Sequence, residues 1–349
     1  MSTASDPVSF TTVSRRLIDD WLEALAGCCS PAQLQDMLLR SGLETPGHPE
    51  ARVTLEQIVH LYQIAAVESG DEMMGLWSRP IRARALQHLL TTVLAAESLP
   101  SALHRFSTFW NLLLDDYQCT LRPEDGVIAL SLQPVGDQPV QRFGHMLLLK
   151  LAHGLLSWLA GHEVPVARVR FAFARPEFAE DYAMIFPAQV AFDAPLSSIA
   201  FDTAPMGPPL ARSKPELVDF VKRAPRDWIF TGYREHSQSL RLREFLYRSN
   251  WQDCGLSDAA TAFRMTPRTL MRRLDSEGTA FQTIKDGLRR DIAIRDLQEN
   301  AKSVEVISQE LGFSSSANFY RAFKRWTGAS PGEYRRQGPA HAVTVAPRR

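Results

Sequence analysis

Arg268, Arg272, Asn318 and Arg321 are side chains that can read the edges of base pairs. In a major groove, arginine can pair bidentately with guanine and asparagine with adenine. Within each pair the spacing is three or four residues, which puts both side chains on one face of a helix. Met271, Ala317 and Tyr320 lie beside them and offer apolar contact to a thymine methyl, and Ser316 completes the set of candidate base contacts. Thr266, Thr269, Arg273, Lys324 and Arg325 are suited to phosphate oxygens, which fix register without reading sequence. For any single arginine a solvated helix face is the plain alternative, but repetition of the arrangement argues against it for the whole module.

The elements that must carry these residues occur twice. The first copy reads GLSDAATAFRMTPRTLMRRLDSEG from Gly255, and the second reads SVEVISQELGFSSSANFYRAFKRWTG from Ser303. Ala260, Met265 and Thr266 answer Ser308, Phe313 and Ser314 at an offset of about 48 residues. Past the turn, residues 270–274 answer 319–323 at an offset of about 49, so the second turn holds one extra residue. Thr266 before Pro267 is a helix N-cap with proline at the first helical position, where a missing N–H is harmless. Leu270 and Leu274 then point inward, as do Phe319, Phe323 and Trp326, while Gly278 and Gly328 end the two helices. Each copy is therefore expected to be a helix-turn-helix, at about 256–277 and 304–327. The stretch 281–299 between them predicts one helix of roughly 27 Å, long enough to hold two recognition helices about one DNA turn apart in successive major grooves.

Composition supports the division. Of 349 residues, Lys and Arg balance Asp and Glu at 39 each. Residues 238–338 nevertheless hold about 17 basic against about 12 acidic side chains, and residues 1–237 about 20 against about 27. Cys28, Cys29, Cys119 and Cys254 form no CxxC pair, which suits idle reduced thiols in a cytoplasm. No apolar run approaches the roughly 18 residues of a spanning helix, and the N-terminus lacks a signal peptide's pattern, so neither a membrane nor export is expected. His153 and His162 stand nine apart without a carboxylate at ligand spacing, so core or surface histidines are expected rather than metal ligands. Phosphate cradles, nucleophile elbows and HExxH zinc motifs are missing, so neither an enzyme nor a cofactor is expected.

Apolar spacing predicts helices over 15–26, 31–41, 54–69, 83–96, 99–114 and 142–160, with strands at 126–132, 167–174 and within 190–201. The fold class is mainly α with a small β component. An α+β regulatory domain over 1–205 is followed by a Pro/Gly-rich linker over 206–237, in which a short helix near 215–223 is expected to lead to the second domain. An all-α domain of two helix-turn-helix units over 238–338 and a tail over 339–349 complete the chain. Trp77, Phe109, Trp110 and Leu113 have the spacing of core aromatics and aliphatics; a cavity among them would favour ligand sensing.

Residues 238–338 closely resemble the AraC/XylS family DNA-binding domain. The resemblance is carried by Gly312-Phe313-Ser314, residues 319–326, Gly328, and the run Ser330-Pro331-Gly332-Glu333-Tyr334-Arg335. It implies a bacterial transcription regulator, usually an activator, that binds double-stranded promoter DNA. Two positions depart from the family pattern. Arg264 stands where glycine is frequent, at a cost of roughly 1 kcal/mol if the residue is left-handed. Ser308 replaces the usual alanine, and its hydroxyl could bond back to its own helix. Met271 stands where several relatives carry a polar reading side chain. More weakly, residues 15–205 resemble the helical "arabinose-binding" regulatory domain of one branch of that family, through residues 52–58, 169–173, Arg175-Pro176, Asp181-Tyr182, Phe186, 190–192 and Phe201-Asp202. The expected partners are a small-molecule effector, amino-acid-derived or lipid-like, RNA polymerase, and a second copy of the chain in a homodimer. A first domain that only dimerises or binds a protein partner is the competing expectation.

Overall fold

The computed structural model describes residues 12–336 apart from 44–51, 138, 205, 208–211, 230–237, 250, 252–253 and 300. The expected tail at 339–349 lies outside the described residues. Strand β1 (Thr12–Ser14) leads through a 3-10 turn into α1 (Asp19–Cys28) and α2 (Pro31–Arg40), and β2 (Arg52–Thr54) into α3 (Leu55–Glu68). Ser30 and Thr54 start α2 and α3 with capping boxes closed by Gln33 and Gln57, which satisfy backbone donors that a helix start otherwise leaves orphaned. The helices α4 (Ala85–Leu94) and α5 (Leu99–Leu113) follow.

A five-stranded sheet comes next, formed by β3 (Tyr117–Glu124), β4 (Val127–Pro134), β5 (Val166–Arg170), β6 (Val190–Ala191) and β7 (Ser197–Asp202) in the order β3-β4-β7-β5-β6. Its pairings are antiparallel except β5 with β6. The sequence reading omitted β3, and the reason is visible in its composition. It is an edge strand with largely exposed side chains and Pro123 near its end, where proline is tolerated because no partner awaits its missing N–H. The short pair β1–β2 also went unread, since three residues carry no usable alternation.

Helix α6 (Arg142–Ala160) links β4 to β5 and runs through the regulatory core, with every residue from Phe143 to Ala160 buried. By length and composition it could cross a bilayer, contrary to the sequence expectation, but its whole apolar window is packed inside the protein. After the short α7 (Tyr182–Ile185) and β7, the region expected to be a linker holds α8 (Lys214–Lys222), the short helix expected near 215–223, and a second one, α9 (Arg226–Ile229), which was not expected. Leu217, Phe220, Trp228 and Ile229 are buried in the regulatory core, so apolar spacing outweighs the Pro/Gly-rich stretch before them. Close approach of α9 to α6 requires glycine at 154, because a Cβ there would stand 2.3 Å from the Trp228 carbonyl oxygen.

The second core runs from Leu242 to Phe323. It is built from α10 (Gln238–Arg248), α11 (Leu256–Ala262), α12 (Pro267–Ser276), α13 (Phe281–Glu299), α14 (Val304–Glu310), α15 (Ser316–Thr327) and α16 (Pro331–Arg336). The Glu277 carboxylate, just past α12, accepts hydrogen bonds from the backbone N–H groups of Gln238 and Ser239 at 2.6 and 2.9 Å and so satisfies the start of α10.

Trp77 and Trp110 are core residues, with Phe109 and Leu113 packed at its margin. Trp110 meets Phe106 and Phe109 edge-on, and Trp77 lies against Tyr117 and His145. His153 is fully buried. Its Nε2 lies 3.0 Å from the Val164 carbonyl, which can only accept, so Nε2 carries the proton and Nδ1 accepts from Lys150 Nζ at 3.1 Å. His162 places Nδ1 3.2 Å from the Glu163 carbonyl.

Two predictions follow from buried polar groups. Burial lowers the His145 pKa from 6.5 to about 4 and holds His153 well below its usual value, so both stay neutral in the folded chain. Between about pH 6.5 and 4 the unfolded chain binds protons at these imidazoles that the folded chain refuses, and stability falls as pH falls. Glu163, raised by burial from 4.5 to about 7, acts in the opposite sense. Denaturant unfolding of His145→Gln should therefore show a pH slope between 6.5 and 4.5 smaller than wild type by about 1 kcal/mol per pH unit. The second concerns Ser308, which is 1% exposed and whose hydroxyl has no hydrogen-bond partner, contrary to the expectation that it bonds back to its own helix. At the matching position of the first repeat, Ala260 is equally buried. Ser308→Ala should raise stability by about 1–3 kcal/mol, the cost of an unsatisfied buried group, as read from the denaturation midpoint.

Candidate nucleic-acid interface

Each recognition helix is set by a turn and a cap. In the first unit, Arg264 adopts a left-handed conformation with φ 55°, the strained case anticipated for a residue standing where the family often has glycine. Thr266 then caps α12 by accepting from the Thr269 N–H at 3.2 Å, and the two hydroxyls lie 2.9 Å apart. In the second unit, Gly312 takes the left-handed position with φ 68°. A Cβ there would meet the Trp251 side chain at 2.9 Å, so only glycine fits. Ser315 caps α15 by accepting from the Asn318 N–H at 3.3 Å. Thr266 and Ser315 are thus the equivalent caps, and the extra residue of the second turn falls between Gly312 and Ser315.

The helices α12 and α15 anchor inward through Leu270 and Leu274, and through Phe319 and Phe323, all at 0% exposure. The opposite faces meet solvent. Arg268, Met271, Arg272 and Arg273 on α12 are exposed, as are Ala317, Tyr320, Arg321 and Lys324 on α15, while Thr269, Ser316 and Asn318 are half-buried. Met271 and Tyr320 are large apolar side chains left 49% and 38% exposed. The side chains of Arg268, Arg272 and Arg273 make no hydrogen bond or ion pair among the described residues, so their guanidinium donors are open to an incoming acceptor. In α15 the candidates are linked to each other. Asn318 donates to Ser314 Oγ at 2.8 Å and accepts from Arg321 at 2.6 Å. Sequence reading did not foresee the role of Ser314 in holding Asn318, although its hydroxyl lies one helical turn before that amide. Arg325, in the last turn of α15, borders a cleft between the two halves of the molecule.

The rod between the units is α13, 19 residues long, or about 28 Å. Ile284, Leu288, Ile292, Ala293, Ile294 and Leu297 pack it into the second core. Arg289 on this rod lies over the rings of Trp251 and Phe313 at 4.9 and 4.8 Å and donates to the Gly312 carbonyl at 3.3 Å, bracing the second turn.

Among the described residues, hydrogen bonds join the regulatory half to this module near Gln189 and at Asp291. Gln189, in the turn before β6, donates to the Asp275 carbonyl near the end of α12 at 3.4 Å. Asp291 on α13 accepts from the Thr12 N–H at 3.3 Å and from the Thr12 hydroxyl, and pairs with Arg243 on α10 at 2.6 Å and with Arg290 at 3.1 Å. Burial pushes the Asp291 carboxyl up, but Arg290, Arg243 and Arg52 outweigh it and hold the group below the usual carboxylate range. Neither contact was foreseen, because an aspartate inside an apolar helical pattern reads as a solvent-facing position.

Comparison with known proteins agrees with this architecture. Residues 32–210 match the family described as "Arabinose-binding domain of AraC transcription regulator, N-term", and residues 259–337 match "Helix-turn-helix domain". The chain is 26% identical over 291 residues to the ornithine utilization regulator of Pseudomonas aeruginosa, covering 82% of this chain and 85% of that one. It is 27% identical over 213 residues to the HTH-type transcriptional regulator VqsM of the same organism, covering 60% and 64%. The crystal structure of the transcriptional regulator CdpR, also from Pseudomonas aeruginosa, aligns over 96% of this chain and all of that one with 19% identity and a TM-score of 0.32. With half of its length matched by the regulatory-domain family and its exposed repeat matched by the helix-turn-helix family, the chain belongs to the AraC family of DNA-binding transcription regulators.

Proposed function

We propose that this regulator is an effector-responsive activator whose α12 and α15 enter successive major grooves of promoter DNA. The observation that carries the reading is a pair of capped helices, each anchored by two fully buried apolar residues and each turning base-reading side chains to solvent. Arg268, Arg272, Asn318 and Arg321 are assigned to base edges, with Met271, Ser316, Ala317 and Tyr320 beside them. Thr266, Thr269, Arg273, Lys324 and Arg325 are assigned to phosphates, with the Thr266 hydroxyl also serving as the cap. The regulatory half binds a small molecule and shifts the population of chains able to grip DNA, and the bound protein recruits RNA polymerase. The name of the ornithine utilization regulator, similar over most of both chains, supports an amino-acid-derived effector over a lipid-like one. A homodimer extends the site read, since one copy spans about two grooves. Every step is a binding equilibrium in the cytoplasm, and no covalent chemistry is assigned.

Arg272→Ala should cost about 1–3 kcal/mol on the specific operator and relax selection at one base pair. Arg273→Ala should instead weaken specific and random DNA alike and reduce the salt slope of binding by about one. Gel-shift titrations at several salt concentrations separate the two. Equal losses on both DNAs for Arg272→Ala would overturn the assignment of α12 as a reading helix. For the regulatory step, a thermal-shift screen of amino acids and fatty acids should find at least one compound that stabilises the chain by RT ln(1 + [L]/Kd), about 2.7 kcal/mol at a hundredfold excess over Kd. A screen in which nothing stabilises would leave the regulatory half as a dimerisation or partner-binding module.

A further inference from the structure

A cleft of about 340 Å³ lies between the two halves of the molecule, large enough for a metabolite of amino-acid size. One wall comes from the regulatory half, around Arg52 and the segment 177–184, and the other from α10, α13 and the end of α15. Its deepest charges are largely committed. Asp181 is held by Arg52 at 2.8 Å and by the Ser14 N–H at 2.7 Å, and Asp291 by Thr12, Arg243 and Arg290.

Two kinds of group keep unused hydrogen-bonding capacity, and they have opposite sign, although Arg290 already feels the charges of Asp181 and Glu180. Arg243 lines the cleft at 3% exposure, and its Nε–H has no acceptor. A buried cationic donor without a partner is costly and calls for an anionic acceptor. Arg290, beside it, bonds Asp291 through Nε alone and makes no other hydrogen bond among the described residues. At the mouth, Glu180 is exposed and has no ion pair among the described residues, and Asp286 meets only the Gln282 amide at 2.9 Å. The third mouth carboxylate, Glu177, is already taken by Arg16.

From this arrangement we infer that the cleft is a binding site for a basic amino acid. The ligand's carboxylate meets Arg243 and Arg290 at the floor, and its side-chain ammonium meets Glu180 and Asp286 at the mouth. The site rests on the effector-responsive reading above and gives it a location. Because Glu180 belongs to the regulatory half and the other three residues to the DNA-binding half, a ligand held by all four favours the docked arrangement of the two, which is the differential affinity a regulator needs.

The test is titration calorimetry on the full-length protein with four probes: L-ornithine, L-lysine, L-norvaline, which lacks the side-chain ammonium, and putrescine, which lacks the carboxylate. Ornithine or lysine should bind at least tenfold more tightly than norvaline and putrescine. Glu180→Gln combined with Asp286→Asn, both at the solvent-facing mouth, should weaken that binding at least tenfold while leaving the far-UV melting curve in place. Arg243→Lys should weaken it too, and the mouth variant keeps the test decisive if Arg243→Lys fails to fold. Norvaline or putrescine binding as well as ornithine, or binding untouched by the double variant, would overturn the cleft site. So would stabilisation by some other metabolite with none of the four probes bound, and in these cases effector sensing itself would stand. No binding by these probes or by any amino acid or fatty acid in the thermal-shift screen would overturn both.

Discussion

Asp291 is the group on which the joined structure turns. It sits on α13, the rod between the two recognition units, with its side chain 1% exposed. Removing a carboxylate from water is expensive, and it is tolerated here because two guanidinium groups and a threonine N–H and hydroxyl converge on it. Those partners come from three places: β1 of the regulatory half, α10 of the DNA-binding half, and α13 itself. One buried anion therefore ties the rod both to its own domain and to the regulatory half. Taking it away would strand the buried Arg243 without its counter-charge, a loss of about 3–5 kcal/mol in comparable cases.

Around that anchor, division of labour follows from which surfaces are apolar. The regulatory half places its most apolar helix, α6, at the centre and lets the sheet and the surrounding helices cover it, so α6 contributes packing and a few buried polar groups rather than surface. The DNA-binding half does the reverse with its two charged helices. Both α12 and α15 give one face to the core and keep the other for solvent, and the rod that joins them is stiffened by side chains such as Arg289. The pose of each helix depends on how firmly its turn is set, which is why Gly312 and the left-handed Arg264 matter as much as the candidate reading residues.

Much of this was legible in the sequence, and the failures have physical causes. The bounds of α6 and α13 follow from apolar periodicity alone, and the two recognition helices from their caps and the repeat. Strand β3 was hidden because an edge strand does not need alternating burial, and α9 because four residues carry no helical period; α8 was legible near 215–223, but not its packing onto the regulatory core. Ser308 looked able to satisfy itself and does not. Least legible of all were the contacts between the halves. Thr12 and Asp291 lie 279 positions apart, and no local pattern marks residues that meet only after both halves have folded. The candidate reading residues were visible, but the mutual bonding of Ser314, Asn318 and Arg321 was not.

Because α8 and α9 fold onto the regulatory core, the last described residue of that core is Ile229, and the next described residue, Gln238, opens α10. Nine peptide steps can span at most about 30 Å, whatever path they take. If the seam at Asp291 opens, the released reading head stays on a leash of that length, at a local concentration in the millimolar range relative to its former dock. Reclosure is then a unimolecular event, largely indifferent to how much protein the cell contains, and weak bonds across the seam suffice to set the balance between the docked and the free head.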